Sequence, residues 1–180
     1  MKDLVNEYFN GTITQMTAED FGNITYIKPF AFYALLGNNI DYTRLYSYVI
    51  PDTVKTIGAS AFGYCRPSYI VIPDSVETIE EIAFFSNRTA STITIGASVS
   101  KIGNKAFSLD ARSTALKTVT FRQPVGMTIT LPTAGANGMF YCKKAYSVTI
   151  YTDNETIKNY DWASDNVTAT FKHLDGSDWA

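Results

Sequence analysis

The sequence predicts an α/β solenoid: a right-handed stack of coils with a short parallel β-sheet on one side and short helical turns on the other. Two observations lead there. Residues 49–107 carry one pattern three times, as Val49 to Phe62, Val71 to Phe84 and Thr94 to Phe107. The closing phenylalanines are 22 and then 23 residues apart, and a fixed period of that length marks coils too small to bury an apolar face alone. Within each copy the periodicity also changes, from alternation to a more compact spacing, so each coil has two kinds of side.

The extended side comes first in each copy. Ile70 and Ile72 alternate with Tyr69 and Val71, the pattern of a strand with the two isoleucines inward. Pro73 and Asp74 end it, because proline has no N–H for a ladder. Val76, Ile79, Ala83 and Phe84 follow at spacings of three, four and one, which suits one or two helical turns facing the same core. The large phenylalanine fills the wedge between the sides, and the alanine stays small where the next coil presses.

Fainter copies extend the array. Ile24, Ile27, Ala31 and Phe32 keep the offsets of Val54, Ile57, Ala61 and Phe62, and Met139-Phe140-Tyr141-Cys142 resembles Ala61-Phe62-Gly63-Tyr64-Cys65, with a different residue type at the first place. Strand cores recur as Tyr48/Ile50, Ile70/Ile72, Ile93/Ile95, Val119/Phe121 and Val148/Ile150, with Leu45, Pro67, Ala90, Leu116 and Ala145 three residues before each. One domain of 180 residues follows: an N-terminal cap over 1–20, about five repeats over 21–148, and a C-terminal cap and tail over 149–180.

In the N-terminal cap, Asp3 to Phe9 is expected as a helical turn and Thr12 to Thr14 as a short strand. Residues 33–44 lengthen the first coil as a loop around Gly37-Asn38-Asn39. Residues 86–92 and 108–115 are polar and expected as surface turns. Residues 122–138 form a second insertion, with an extra extended piece from Thr128 to Leu131. Asp153 or Asn154 is expected to cap a short helix, on which Ile157, Tyr160 and Trp162 cover the last rung. Val167 to Phe171 reads as one more strand, and His173 to Ala180 as a loose tail.

Ile72-Pro73-Asp74-Ser75-Val76 and Ile57-Gly58-Ala59-Ser60-Ala61-Phe62 resemble the motif of the BspA-like, or treponemal-type, leucine-rich repeat family. The resemblance covers residues 20–160 and implies a leucine-rich-repeat solenoid. The family's members are mostly secreted or surface proteins of host-associated bacteria and some protozoan parasites, and some bind host matrix proteins or other cells. The resemblance thus implies a surface or secreted adhesin-like module. Its partner would be a host extracellular matrix or cell-surface protein.

Composition bounds the alternatives. A net charge of −2 gives no overall basic footprint for nucleic acid. No apolar run approaches a membrane span, so no membrane insertion is expected. Aromatics at 14% are numerous, and twelve are tyrosines, which suit half-exposed recognition surfaces. No signal peptide stands at Met1, since Leu4-Val5 is followed by Asn6-Glu7. An exported protein would make this chain a trimmed piece, whereas a native Met1 implies the cytoplasm.

No catalytic set emerges. His173 is the single histidine and lies outside the repeats, so no Ser/His/Asp or Cys/His arrangement is expected. Cys65 and Cys142 give no zinc spacing, and no cofactor is implied. They are expected at the same place in repeats three coils apart, on the order of 15 Å at rung spacing, too far for a disulfide. Both thiols are therefore expected free and buried. Asp52, Asp74, Glu77, Glu80 and Glu81 read as turn and edge residues. Five sequons begin at Asn10, Asn23, Asn87, Asn154 and Asn166, relevant only to an exported eukaryotic protein.

What remains is surface. With the isoleucines inward, two outward columns cross the sheet: Ser47, Tyr69, Thr92, Thr118 and Ser147, and Val49, Val71, Thr94, Thr120 and Thr149 with Tyr151 beside it. Threonine is also simply a good strand former, so these columns serve equally as plain sheet surface or as a binding strip. The functional expectation is a monomeric, non-catalytic module that binds protein through Tyr69, Thr92, Thr94, Thr118, Thr120, Ser147, Thr149 and Tyr151. Intracellular scaffolding and glycan binding are the alternatives.

Overall fold

The computed structural model describes residues 15–33, 47–109 and 115–179; the loop expected at 33–44 and the N-terminal helix and strand lie outside them, Tyr33 excepted. The chain winds as a parallel β-solenoid of about five turns. One side carries a five-stranded parallel sheet of β5 (Tyr69–Val71), β7 (Thr92–Ile95), β9 (Thr118–Phe121), β10 (Tyr146–Tyr151) and β11 (Val167–Lys172), in that spatial order. The other side carries a four-stranded parallel ladder of two-residue strands: β2 (Tyr26–Ile27), β4 (Thr56–Ile57), β6 (Thr78–Ile79) and β8 (Lys101–Ile102). A short pair, β1 (Gln15–Met16) with β3 (Ser47–Tyr48), lies at the N-terminal end. The wide sheet places its inward residues as the alternation demands: Ile70, Ile93, Ile95, Val119, Phe121, Val148 and Ile150 are all buried.

The coils are joined by one aromatic spine. Phe32, Phe62, Phe84, Phe107 and Phe140 stack face to face with successive centroids 5.1, 5.3, 5.3 and 5.1 Å apart. That spacing is close to the distance between hydrogen-bonded rungs, so each ring sits directly over its counterpart. Trp162 closes the stack, 5.6 Å from Phe140. The weaker copies at Phe32 and Phe140 are therefore true coils.

The second side departs from expectation. No helical turn follows Val54, Val76 or Val99; the Thr-Ile or Lys-Ile strand and a turn take its place. The reason lies in where the backbone groups bond. Phe62 N–H donates to the Ala83 carbonyl and Phe84 N–H to that of Ala106, at 2.8 and 2.7 Å. In the opposite sense, Gly103 N–H donates to the Ile79 carbonyl at 2.8 Å. These bonds run between coils, where a helix would spend them within one. The turns also place the residue two before each of the first four rings in the left-handed region: Phe30 at φ 59°, Ser60 at 58°, Ile82 at 49° and Lys105 at 54°. A right-handed helix cannot pass through that conformation. Among the described residues, helix is confined to α1 (Ala18–Phe21), α2 (Glu155–Lys158) and a 3₁₀ turn at Trp162–Asp165.

The connectors at 86–92 and 108–109 are more deeply packed than their polarity indicates. Ser86, Asn87, Ala90, Ser108 and Leu109 are all buried. Asn87 explains the first of these: its amide donates to the carbonyls of Phe62 at 2.9 Å and Phe84 at 2.7 Å, tying two coils. Asn87 follows its ring by three residues, as Cys65 does, and the Cys65 thiol makes the matching contact to the Phe32 carbonyl at 3.5 Å. Cys142 follows Phe140 by only two, so the two cysteines are not strict equivalents. Both are buried and neither is in a disulfide, and burial pushes the Cys65 thiol up to about 12. Of the residues three before each strand core, Ala145 is exposed rather than tucked in. Next to it, half-buried Tyr146 donates to the Phe140 carbonyl at 3.0 Å.

The second insertion supplies the missing rung of the narrow ladder, since Thr130 bridges Lys101 in parallel. Its end is clasped by the C-terminal cap. The buried Asp165 carboxylate accepts from Gly135 N–H at 2.8 Å, Phe140 N–H at 3.2 Å and the Tyr160 hydroxyl at 3.1 Å. Residue 138 must be glycine here, because a Cβ would coincide with that carboxylate. Asn154 caps α2 by accepting from Thr156 N–H at 3.0 Å, and Ile157 and Trp162 are buried over the last coil.

The segment from His173 is no loose tail. Asp175-Gly176 makes a tight turn, with Gly176 at φ 90°, and Lys172 bridges Asp178 in antiparallel fashion. The Asp-Gly pair is a strong turn signal. Trp179 anchors the returning arm by donating to the Thr152 carbonyl at 3.1 Å and stacking on His173 at 4.2 Å.

Candidate functional site

The candidate surface is built by strand parity. On β7 and β9 the β-branched Thr-x-Thr pattern suits a pleated strand, and on each rung from β5 to β9 the middle residue turns inward. Thr92 and Thr94 thus flank buried Ile93, Thr118 and Thr120 flank buried Val119, and Tyr69 and Val71 flank buried Ile70. Tyr69 and Val71 are each 50% exposed.

The structure brings most of the expected residues together, with one change of register. Tyr69, Thr92 and Thr118 are direct neighbours, as are Val71, Thr94 and Thr120. At β10 the ladder slips by two residues: Thr118 faces Thr149, not Ser147, and Thr120 faces Tyr151. A slip of two preserves which face each side chain meets, so alternation alone does not fix it. Deeper in the coil, it sets the small buried Thr152 level with Phe121, whose ring meets Trp162 at 6.1 Å. β11 adds residues that the sequence reading left out. Thr170 continues the column of Thr149, Lys172 that of Tyr151, and Thr168 lies beside Ser147. The result is one column of Tyr69, Thr92, Thr118, Thr149 and Thr170, and a second of Val71, Thr94, Thr120, Tyr151 and Lys172. The alternation of Val167 to Phe171 was the signal for these additions.

Three of the carboxylates singled out in the sequence, Asp74, Glu77 and Glu80, hold coils together. Asp74 accepts from Ala97 N–H at 2.8 Å and pairs with Arg122 at 3.2 Å. Glu80 accepts from Ala59 N–H at 2.8 Å, and Glu77 pairs with Lys55 at 3.2 Å. His173 pairs with Asp153 at 2.8 Å, and Lys158 lies 4.1 Å over the ring of Trp179. Among the described residues no group of three or more His, Cys, Asp or Glu side chains is placed to hold a metal ion. No helix among them is long and apolar enough to cross a membrane. Of the sequon asparagines, Asn87 and Asn154 are buried, and Asn166 donates to the Cys142 carbonyl; Asn23 is exposed.

A stack of short parallel rungs on a phenylalanine spine, with a hydroxyl-bearing outer face, defines a repeat protein of the leucine-rich type. The family model for the BspA type leucine rich repeat region matches residues 38–168 in six copies, and the chain belongs to that family. Such membership points to a protein-interaction module, typically non-catalytic. No curated protein matches the chain, and no solved structure does.

Proposed function

We propose that this domain is a non-catalytic protein-interaction module whose wide-sheet face meets its partner, displayed at the cell surface or outside the cell. The observation that carries the reading is the exposed face itself. Two continuous columns cross five rungs, and Lys172 is their only ionisable side chain apart from the tyrosines. Such a face is rigid before binding, so little ordering cost opposes contact. Tyr69 and Tyr151 supply the amphipathic rings that interfaces favour. The partner is a host matrix or cell-surface protein.

The test is binding of the chain to a panel of purified extracellular-matrix proteins, with Thr94→Arg and Thr120→Arg as face variants and Thr78→Arg on the narrow ladder as control. The expected result is a partner bound by the parent and the control but lost by both face variants. Equal binding by all four forms would exclude this face. Binding to neutral glycans in place of protein would move the assignment to glycan recognition.

A further inference from the structure

The net charge of −2 conceals a segregation by position in the coil. Four connectors lead from the phenylalanine spine to the wide sheet: 63–68, 85–91, 108–117 and 141–145. Their described residues include Arg66, Arg88, Lys117, Lys143 and Lys144, and no acid. Over the full connectors Arg112 adds a sixth base and Asp110 the single acid, a net of +5. The rest of the chain holds nine bases and sixteen acids, a net of −7.

The fold lines the described parts of these connectors up on one edge. Ser91 N–H bonds the Ser68 carbonyl, Lys117 N–H the Ser91 carbonyl and Thr149 N–H the Lys117 carbonyl, each at 2.9 Å. Closer to the spine, Tyr64 N–H bonds Phe85, Ser86 N–H bonds Ser108, and Leu109 N–H bonds Tyr141. The basic residues therefore recur from coil to coil along the solenoid axis. Lys117, Lys143 and Lys144 are exposed; Arg66 and Arg88 are half-buried and have contacts of their own. Half-buried aromatic rings run alongside: Tyr33 meets Tyr64 at 5.6 Å and Tyr64 meets Phe85 at 5.2 Å, both edge to face.

We infer that this edge binds an acidic polysaccharide chain, carboxylated or sulfated. The inference stands beside the proposed function and does not rest on it. At physiological salt, charges interact over about 8 Å, so a thin polyanion lying along the row meets Arg66, Arg88, Lys117, Lys143 and Lys144, with no acid among the described connector residues, and is screened from the acids elsewhere. A nucleic-acid duplex is too wide to stay within that distance of one edge. The exposed cations are lysines, which bind anions as point charges, and the flanking rings and threonine hydroxyls offer stacking and hydrogen bonds to sugar.

The test uses the full chain with heparin as the sulfated probe and polygalacturonate as the carboxylated one. Single-stranded DNA and polyglutamate serve as non-sugar polyanions. The informative variant is Lys143→Glu with Lys144→Glu; Lys28→Glu with Lys101→Glu changes net charge equally elsewhere. At least one polysaccharide is expected to bind, with affinity falling steeply as salt rises. The first variant should weaken it at least tenfold and the second less than twofold, both melting as the parent does. As a second readout on the parent, bound polysaccharide should protect Lys117, Lys143 and Lys144 from acetylation but not Lys28 or Lys101. The inference is overturned if neither polysaccharide binds, if both variants lose affinity alike, if the acetylation pattern is unchanged, or if DNA or polyglutamate binds as tightly.

Discussion

Phe84→Ala tests the spine at its centre. The Phe84 ring is buried and lies 5.3 Å from Phe62 and 5.3 Å from Phe107, tilted only 4° and 6° from them. Truncation removes the transfer free energy of the ring and leaves a cavity whose walls are held by inter-coil hydrogen bonds. Core Phe→Ala changes cost about 3–5 kcal/mol, and losing two aromatic contacts of about 0.5–1.5 kcal/mol each places this one near the upper end. For a chain of this size that lowers Tm by roughly 6–20 °C. Denaturant unfolding gives the magnitude, and hydrogen exchange gives the location. Protection should fall on both sides together: at Phe62, whose N–H bonds the Ala83 carbonyl, and at Phe107, whose ring loses its stacking on Phe84 and whose coil takes the Phe84 N–H at Ala106. A melting shift within two degrees of the parent, or lost protection in only one neighbouring coil, would refute a shared core.

Three further outcomes are expected. Ile82 is a β-branched residue at φ 49°, so Ile82→Asn should be more stable than the closer mimic Ile82→Val by about 1 kcal/mol, read by chemical denaturation; the reverse order would show that the side chain outweighs the backbone. Cys65, buried with its thiol pushed up to about 12, should resist a thiol reagent until the chain unfolds, and reaction within minutes under native conditions would show the coil to be open there. Burial raises the Asp165 carboxyl above its ordinary value, against the opposing pull of its hydrogen bonds from Gly135, Phe140 and Tyr160. The folded state then holds a proton that the unfolded chain has released, so this stability is present below about pH 4 and is lost as pH rises through the folded value. In melts across that range, the Tm difference between the parent and Asp165→Asn should narrow as pH rises; a constant difference would refute it.

The parts legible in the sequence are those that one coil repeats from the last. Phe62, Phe84 and Phe107 fix the period, and the same offsets find Phe32 and Phe140. The inward isoleucines follow from alternation alone. The sequence predicts helical turns where there are none because Val76, Ile79, Ala83 and Phe84 fit a helix by spacing. Spacing does not reveal that the amides between them bond to adjacent coils, or that Ile82 sits in the left-handed region. The two-residue slip at β10 was hidden for a related reason, since either register keeps Val148 and Ile150 inward. Asp165 gave no signal: its role depends on Gly135, Phe140 and Tyr160 meeting it from three separate stretches.

The same logic governs how this fold makes surfaces. A solenoid converts position within a repeat into position on the molecule, so a residue type recurring at one offset becomes a stripe along the axis. Thr92, Thr118 and Thr149 become a hydroxyl column by that rule, and the bases of the connectors become one edge. Composition averaged over the chain erases both, which is why −2 in total coexists with +5 on a single set of connectors. Face and edge draw on different offsets, and so they can change independently: a substitution at Thr120 leaves the connector charges untouched, and one at Lys143 leaves the face intact. A partner that needs both must lie across the leading ends of the wide-sheet strands, and for such a partner the face and edge variants would each weaken binding.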